Sequence, residues 1–257
     1  MTPRDKVIPL TPQILRFDSL PSTNLEAAKR AADGAAEGLC VLAGEQIAGR
    51  GRLEREWVSP KGAGLYSSII FRPGFDQSSW PLLTLMAAVA VHDALRECCG
   101  AQTDIKWPND VLANDKKLCG ILAETVDSLS GRAVIVGIGI NLTNHAFPGK
   151  LDKVATSIEA VTGQAPDVEK VLNALLGSLQ VYYEALRGPD GPERIIRAWT
   201  ERSSYASGKR VRVTNAGETI EGISRGLECD GGLRLETADG KIQVIRAGDV
   251  TAVRAFK

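Results

Sequence analysis

The sequence predicts an α+β protein in which a mixed central sheet is flanked by helices and followed by a small β-barrel. Three observations carry that reading. Apolar, strand-like runs at 39–45, 64–71, 118–126 and 133–141 are interleaved with helical periodicity at 82–99 and from Val168 onward. After Ser207-Gly208 the pattern changes to short alternating strands. A chain of 257 residues, 44% of them hydrophobic, can bury a sizeable core, which excludes disorder as its main state. The expected division is 1–207 for the larger unit and 208–257 for the smaller.

Each element has its own signal. Thr23-Asn24-Leu25-Glu26 has the spacing of a capping box, and Leu25, Ala28, Ala31 and Ala32 follow at helical intervals until Asp33-Gly34. Strands are expected at 39–45 and 64–71, with a Gly- and Arg-bearing loop at 47–61 between them. That loop is longer than the usual ~4 to 6 residues, a length typical of functional lids or disordered segments. The run 82–99 reads as a central helix. Residues 105–106 and 111–113 look extended, Asn114-Asp115 looks like a turn, and 118–126 and 133–141 look like core strands joined through Ser130-Gly131. Four or five strands would then form one sheet. Asp167 can cap a helix whose Val168, Val171, Leu172, Leu175, Leu176 and Leu179 recur every three or four residues, and Gly188-Pro189 stops it. A further helix is expected from about 192 to 202. Beyond it, 210–214, 219–224, 233–236, 241–245 and 250–254 read as the strands of an SH3-like barrel, separated by turns such as Asn215-Ala216-Gly217 and Asp239-Gly240. Its size, below the ~60 residues at which an isolated core becomes comfortable, implies that it leans on the larger unit.

Charge and composition exclude several function classes. Lys and Arg (31) balance Asp and Glu (31), which removes the sequence-wide footprint of a protein living on nucleic acid or an anionic membrane. Any anion must be held locally. The longest apolar stretch, 82–91, is about half the ~20 residues of a spanning helix, and 1–15 has three prolines and no continuous apolar run of a secretory signal. Five cysteines, Cys40, Cys98, Cys99, Cys119 and Cys229, are odd in number and form no C-x-x-C pair, as expected of reduced thiols in the cytoplasm. Two histidines far apart in sequence argue against a zinc site.

Four short motifs carry chemistry, each with a plain alternative. In Gly49-Arg50-Gly51-Arg52, glycines can expose backbone N–H groups to a phosphate while arginines supply planar donors, or the segment is a solvated basic loop. Gly137-Ile138-Gly139-Ile140-Asn141 ends a strand, where glycine marks close approach of a ligand or simply tight packing. In Lys106-Trp107-Pro108-Asn109-Asp110, Pro108 biases Trp107 toward an extended conformation and Asn109-Asp110 turns directly after it, so Lys106 is aimed from a strand end; alternatively Trp107 plugs the core and Lys106 is a surface charge. Lys117 starts the next strand, and two cations at neighbouring strand ends suit a polyanion. Neither the P-loop nor the Rossmann fingerprint is present.

Together with Ser22-Thr23-Asn24, Trp57, the run 117–122 and Ser224-Arg225-Gly226, these motifs resemble biotin protein ligases in kind and order, from about residue 15 to residue 252. The resemblance implies a class II synthetase-like catalytic domain with a C-terminal SH3-like barrel. It implies an enzyme that joins biotin to ATP, releases pyrophosphate, and passes the biotinyl group from biotinyl-5′-AMP to a lysine of a biotin carboxyl carrier protein, with Mg²⁺ accompanying ATP through ligands the sequence does not name. By the same resemblance Ser22, Thr23 and Gln46 hydrogen-bond the ureido head of biotin. Arg50, Gly51 and Arg52 fold over the adenylate, Arg55 faces phosphate and Trp57 packs near adenine. Lys106 contacts the carboxylate and α-phosphate with Lys117 in support, Asn141 meets adenine, and Arg225 is brought to the nucleotide by the barrel; Lys106 and Arg52 would carry the catalysis.

Two features depart from the family pattern. Glu54 stands where the family commonly has glycine, making the loop less flexible and less basic. Only 21 residues precede Ser22, which points to the monofunctional form without an operator-binding domain. Monomer and homodimer both remain open. A lipoate ligase is the nearest rival, although Ser22, Thr23 and Gln46 suit a polar ring better than a long apolar chain. A non-catalytic adaptor is the rival from another class; with nine basic against seven acidic residues in 208–257, its barrel is a poor fit to nucleic acid.

Overall fold

The computed structural model describes residues 13–128, 131–146, 151, 153–215 and 217–252. The expectation for 1–15 therefore lies outside the described residues up to position 12, as do Ser130, Ala216 and positions 253–254 of the last expected strand.

Two sheets organise the chain. The first has seven strands: β1 (Ile14–Phe17), β2 (Cys40–Ala43), β3 (Gly64–Phe71), β4 (Asp104–Lys106), β5 (Asp110–Ala113), β6 (Lys116–Val126) and β7 (Ala133–Asn141). They lie in the order β1-β2-β3-β7-β6-β5-β4. Only β1 and β2 run parallel, and the remaining neighbours are antiparallel, so the sheet is mixed. Helix α1 (Thr23–Ala32) covers one face, where Ala27 and Ala31 pack on Val41, Ile70 and Ile135. Helices α2 (Leu82–Cys99), α4 (Val168–Arg187) and α5 (Gly191–Glu201) cover the other, and α3 (Ile158–Thr162) is a short link after β7. Helix α2 is buried from Leu82 to Val91, as a run without a polar stripe must be.

The second sheet is antiparallel, with β8 (Ser207–Asn215), β9 (Glu218–Leu227), β10 (Leu233–Glu236), β11 (Ile242–Ile245) and β12 (Asp249–Ala252) in the order β11-β10-β9-β8-β12. Its apolar side does not form a separate core. Val211, Val213, Leu233, Leu235 and Val250 belong to the same buried cluster as α2, and Trp107 Nε1 donates to Gly231 O at 2.9 Å.

Three local expectations need correction. The first sheet has seven strands, not four or five: β1 is a four-residue edge strand, too short to show alternation, β5 is no longer and β4 is shorter still. Helix α1 does not use a capping box. Ser22 occupies the N-cap without a side-chain capping bond, Glu26 bonds Arg30, and the Thr23 hydroxyl turns toward Gln46. Helix α3 was not foreseen, because five residues give no readable period.

Candidate active site

Between the first sheet, the 47–61 loop and the edge of the second sheet lies a cavity of about 770 Å³. That is within the range of sites that bury a small molecule or cofactor. One end is polar and uncharged. Both the backbone N–H and the hydroxyl of Thr23 donate to Gln46 Oε1, at 2.8 and 3.1 Å, and Gln46 Nε2 donates to Ser59 Oγ at 2.8 Å. Thr23 comes from the start of α1 and Gln46 from just beyond β2, so two elements fix the amide in one orientation. With one Nε2 proton used, the second is left for a ligand.

The floor is bare backbone. Gly120 of β6 and Gly139 of β7 face each other across the ladder, and the Trp57 ring lies over them. A methyl at Gly139 would stand 2.4 Å from Trp57 Nε1, so the glycine is required by this packing. Lys117 Nζ sits 5.3 Å from the centre of the Trp57 ring, within cation–π range. Asn141, at the end of β7, donates to Thr156 O at 3.0 Å and lines the cavity.

The opposite end is cationic, and an acid of the chain holds every cation there that has a named role. Asp110 lies between Lys117 Nζ at 2.6 Å and Lys106 Nζ at 3.0 Å. Burial alone opposes its charge, but Lys117 and Lys106 outweigh that cost and hold the carboxyl below the usual carboxylate range. The tight connection from β4 to β5, whose Trp107–Pro108 peptide is cis, places Lys106 and Asp110 opposite each other in the ladder. Arg50 Nη2 is 2.9 Å from both oxygens of Glu124. Arg52 Nη1 donates to Asn109 Oδ1 and Gly248 O, both at 3.2 Å, and Arg55 pairs with Asp249. The loop is thereby latched to β12 and the turn before it. Leu53 and Glu54, with φ of 54° and 58°, carry left-handed backbone between the two arginines, a region that favours glycine.

Comparison with known proteins decides the family. The model of the biotin/lipoate A/B protein ligase family matches residues 15–141, and that of the biotin protein ligase C-terminal domain matches residues 206–251. The biotin--[acetyl-CoA-carboxylase] ligase of Paracoccus denitrificans is 39% identical over 235 residues, covering 89% of this chain and 96% of the relative. The chain belongs to the biotin protein ligase family. The bifunctional ligase/repressor BirA of Bacillus subtilis is 38% identical over 240 residues, covering 92% of this chain and 73% of the relative. Among solved structures, the biotin protein ligase from Aquifex aeolicus in complex with biotin and ATP matches with a TM-score of 0.82 at 28% identity, covering 95% of this chain and 99% of that one. The Leishmania major biotin protein ligase in complex with biotinyl-5-AMP matches with a TM-score of 0.65 at 25% identity, covering 91% and 99%.

Within this ligase fold, Thr23, Gln46, Arg50, Gly51, Arg52, Arg55, Trp57, Lys106, Lys117 and Asn141 all line the one cavity. Ser22 and Arg225 do not. Ser22 is buried in the N-cap of α1, one residue away from the wall. Arg225 forms an ion pair with Glu236 of β10 at 2.5 Å. The barrel instead approaches the cavity through Asp249, Val250, Thr251 and Ala252, because β12, not β9, is the strand at that edge. Several contributors were not singled out from sequence. Glu124 was legible in principle, since it shares a strand face with Gly120 and Leu122 by period two. Asp249, Lys209 and Tyr205 reach the wall only through tertiary packing and have no local signal. Among the described residues, no group of three or more His, Cys, Asp or Glu gathers as a metal site.

Proposed function

We propose that this chain is an ATP-dependent biotin protein ligase that forms biotinyl-5′-AMP and transfers the biotinyl group to a lysine of a biotin carboxyl carrier protein. The observation that carries the proposal is the polarity of the cavity: an uncharged amide and hydroxyl end at Thr23 and Gln46, and a cationic end at Lys106, Lys117, Arg50, Arg52 and Arg55. A ureido ring fits the first and a carboxylate meeting a triphosphate fits the second.

In the first step the biotin carboxylate oxygen attacks the α-phosphorus of ATP and pyrophosphate leaves. Two anions must approach, and cations offset their repulsion. At ~4 Å and an effective dielectric of ~20 each charge pair contributes about 4 kcal/mol, and a positioned donor commonly contributes ~3 kcal/mol to a transition state. Lys106 is the group we assign to the carboxylate and α-phosphate, with Lys117 beside it. Arg50, Arg52 and Arg55 take the phosphates, Gly51 gives them close backbone approach, and Trp57 and Asn141 form the adenine end. Ser22 contributes as the N-cap residue that starts α1 directly before Thr23. Mg²⁺ enters on the phosphates as part of the nucleotide substrate. In the second step the carrier's lysine amine attacks the acyl carbon of the mixed anhydride and AMP leaves, so the chain needs no nucleophile of its own. Residues 1–207 form the catalytic part and 208–257 the barrel that holds Arg52 and Arg55. No helix among the described residues is long and apolar enough to cross a membrane. The five free thiols suit a cytoplasmic setting and the balanced charge suits a protein without DNA as a partner, acting as monomer or homodimer.

The test is pyrophosphate exchange into ATP by the purified protein. Exchange that requires biotin supports the reading. Equal exchange with lipoate or octanoate, or none with biotin, rejects it.

A further inference from the structure

We propose that Glu124 is a positioning residue: it sets Arg50 over the cavity and ties that placement to the polar end of the pocket. The proposal rests on the ligase reading above and adds a residue to it. Glu124 lies on β6, on the face that carries Gly120 and Leu122 toward the cavity. Its carboxylate has two partners at once. Both oxygens are 2.9 Å from Arg50 Nη2, and Oε2 also accepts from Asn24 Nδ2 at 2.7 Å. Among the described residues only Nη2 of the Arg50 guanidinium is engaged, so its other donors are available in the cavity that Arg50 lines.

Asn24 is itself immobilised. It sits on the bare backbone of Gly137, where a methyl would stand 2.1 Å from Asn24 Oδ1. Ser68 Oγ is 2.6 Å from Asn24 Oδ1 and 2.7 Å from Thr23 Oγ1, so its single proton serves one acceptor or the other. Thr23 in turn donates to Gln46. A chain of polar contacts therefore runs from Gln46 through Thr23, Ser68, Asn24 and Glu124 to Arg50, with the Ser68 proton as its switch point. A ligand that engages the Thr23 hydroxyl biases the Ser68 proton, and with it the Asn24 amide that Glu124 shares with Arg50. The ion pair has side chains 42% and 35% exposed, and pairs so exposed add little net stability. What the pair does supply is one orientation for a long side chain that otherwise samples many.

A double-mutant cycle tests this by biotin-dependent pyrophosphate exchange in the full chain, with the variants Glu124→Gln, Arg50→Gln and both together. Glu124→Gln is expected to lower kcat/KM for ATP about tenfold, Arg50→Gln to lower it at least as much, and the double variant to be no worse than Arg50→Gln alone, since Glu124 acts through Arg50. The KM for biotin should change far less than that for ATP, and Glu124→Asp, which keeps the charge, should recover part of the loss. Multiplying effects in the double variant would overturn the proposal, as would unchanged ATP kinetics in Glu124→Gln. So would activity losses in the Gln and Asp variants alike that follow a fall in thermal midpoint. Absence of biotin-dependent exchange in the wild type would instead remove the ligase reading itself.

Discussion

Replacing Asp110 by Asn removes the one charge that Lys106 and Lys117 share, at 3.0 and 2.6 Å. The Asp110 side chain is 13% exposed and those of the lysines 21% and 34%, so the cluster lies between a solvated surface pair and a fully buried one. Surface pairs contribute about 0 to 1 kcal/mol, while removing one partner of a buried pair costs about 3 to 5 kcal/mol. The expected loss for Asp110→Asn is about 2 kcal/mol at pH 7, a fall in thermal midpoint of roughly 4 to 8 °C for a chain of this size. The pH dependence follows from the depressed carboxyl. A carboxylate whose folded pKa lies below its unfolded value of about 3.9 contributes fully above that value and loses its contribution as pH falls through the folded one. The midpoint gap between wild type and variant should stay constant from pH 7 to pH 5 and narrow only below about pH 4. Thermal melts across that range read it directly, and pyrophosphate exchange should fall about tenfold or more as the two ammonium groups lose their common aim. Equal midpoints at pH 7, or a gap that closes already between pH 7 and pH 5, would refute the reasoning.

Other perturbations probe the rest of the site. Lys106→Ala should lose adenylation by ~10² or more at temperatures well below its lowered thermal midpoint, whereas near-wild-type turnover would return Lys106 to a surface charge. Gly139→Ala places a methyl 2.4 Å from the present position of Trp57 Nε1, so it should displace the indole and change its fluorescence together with the KM for ATP; an unchanged emission spectrum would argue against this packing. Asp249→Asn should loosen Arg52 and Arg55 and release biotinyl-5′-AMP faster, while Arg225→Ala, whose guanidinium is held by Glu236, should leave ATP kinetics close to wild type; the reverse pattern would restore Arg225 as the barrel's contribution. Thiol titration should find five free thiols after denaturation but slow reaction of Cys40 and Cys119 in the native protein. Both are buried, and burial pushes the Cys40 thiol up to about 12.

Elements whose signal is local were legible. The bounds of α2, β3 and β7 follow from largely apolar runs ended by Gly, Asn or charge, those of β10 from the alternation Leu-Arg-Leu-Glu, and the change of pattern after Ser207-Gly208 marks the second sheet. What failed depends on partners distant in sequence. β1 is a strand because Cys40–Ala43 pairs with it, and nothing in Ile14-Leu15-Arg16-Phe17 alone says so. The glycines of 137–141 were ambiguous between ligand approach and packing. Both hold side chains in this structure, Asn24 over Gly137 and Trp57 over Gly139, and a period-two reading has no means of naming those side chains. The site residues that line the cavity were recoverable because their motifs sit at strand ends and in one loop. Arg225 lies within β9, which runs on past the expected end at 224, and strand alternation does not reveal which barrel edge meets the cavity.

The balanced charge of the chain also has a structural counterpart at the site. Lys106 and Lys117 are held by Asp110, Arg50 by Glu124, and Arg52 and Arg55 by Asp249, so in a cavity built for a polyanion three carboxylates offset part of the charge of five cations. The internal acids hold the long cationic side chains in place without the self-repulsion that a bare cluster would carry. A triphosphate, with more charge than any one of these carboxylates, meets all five cations together. The same three carboxylates that hide the site from a net-charge count therefore keep its cations aimed, and neutralising any one of them should weaken the grip on the nucleotide while leaving the other two clusters intact.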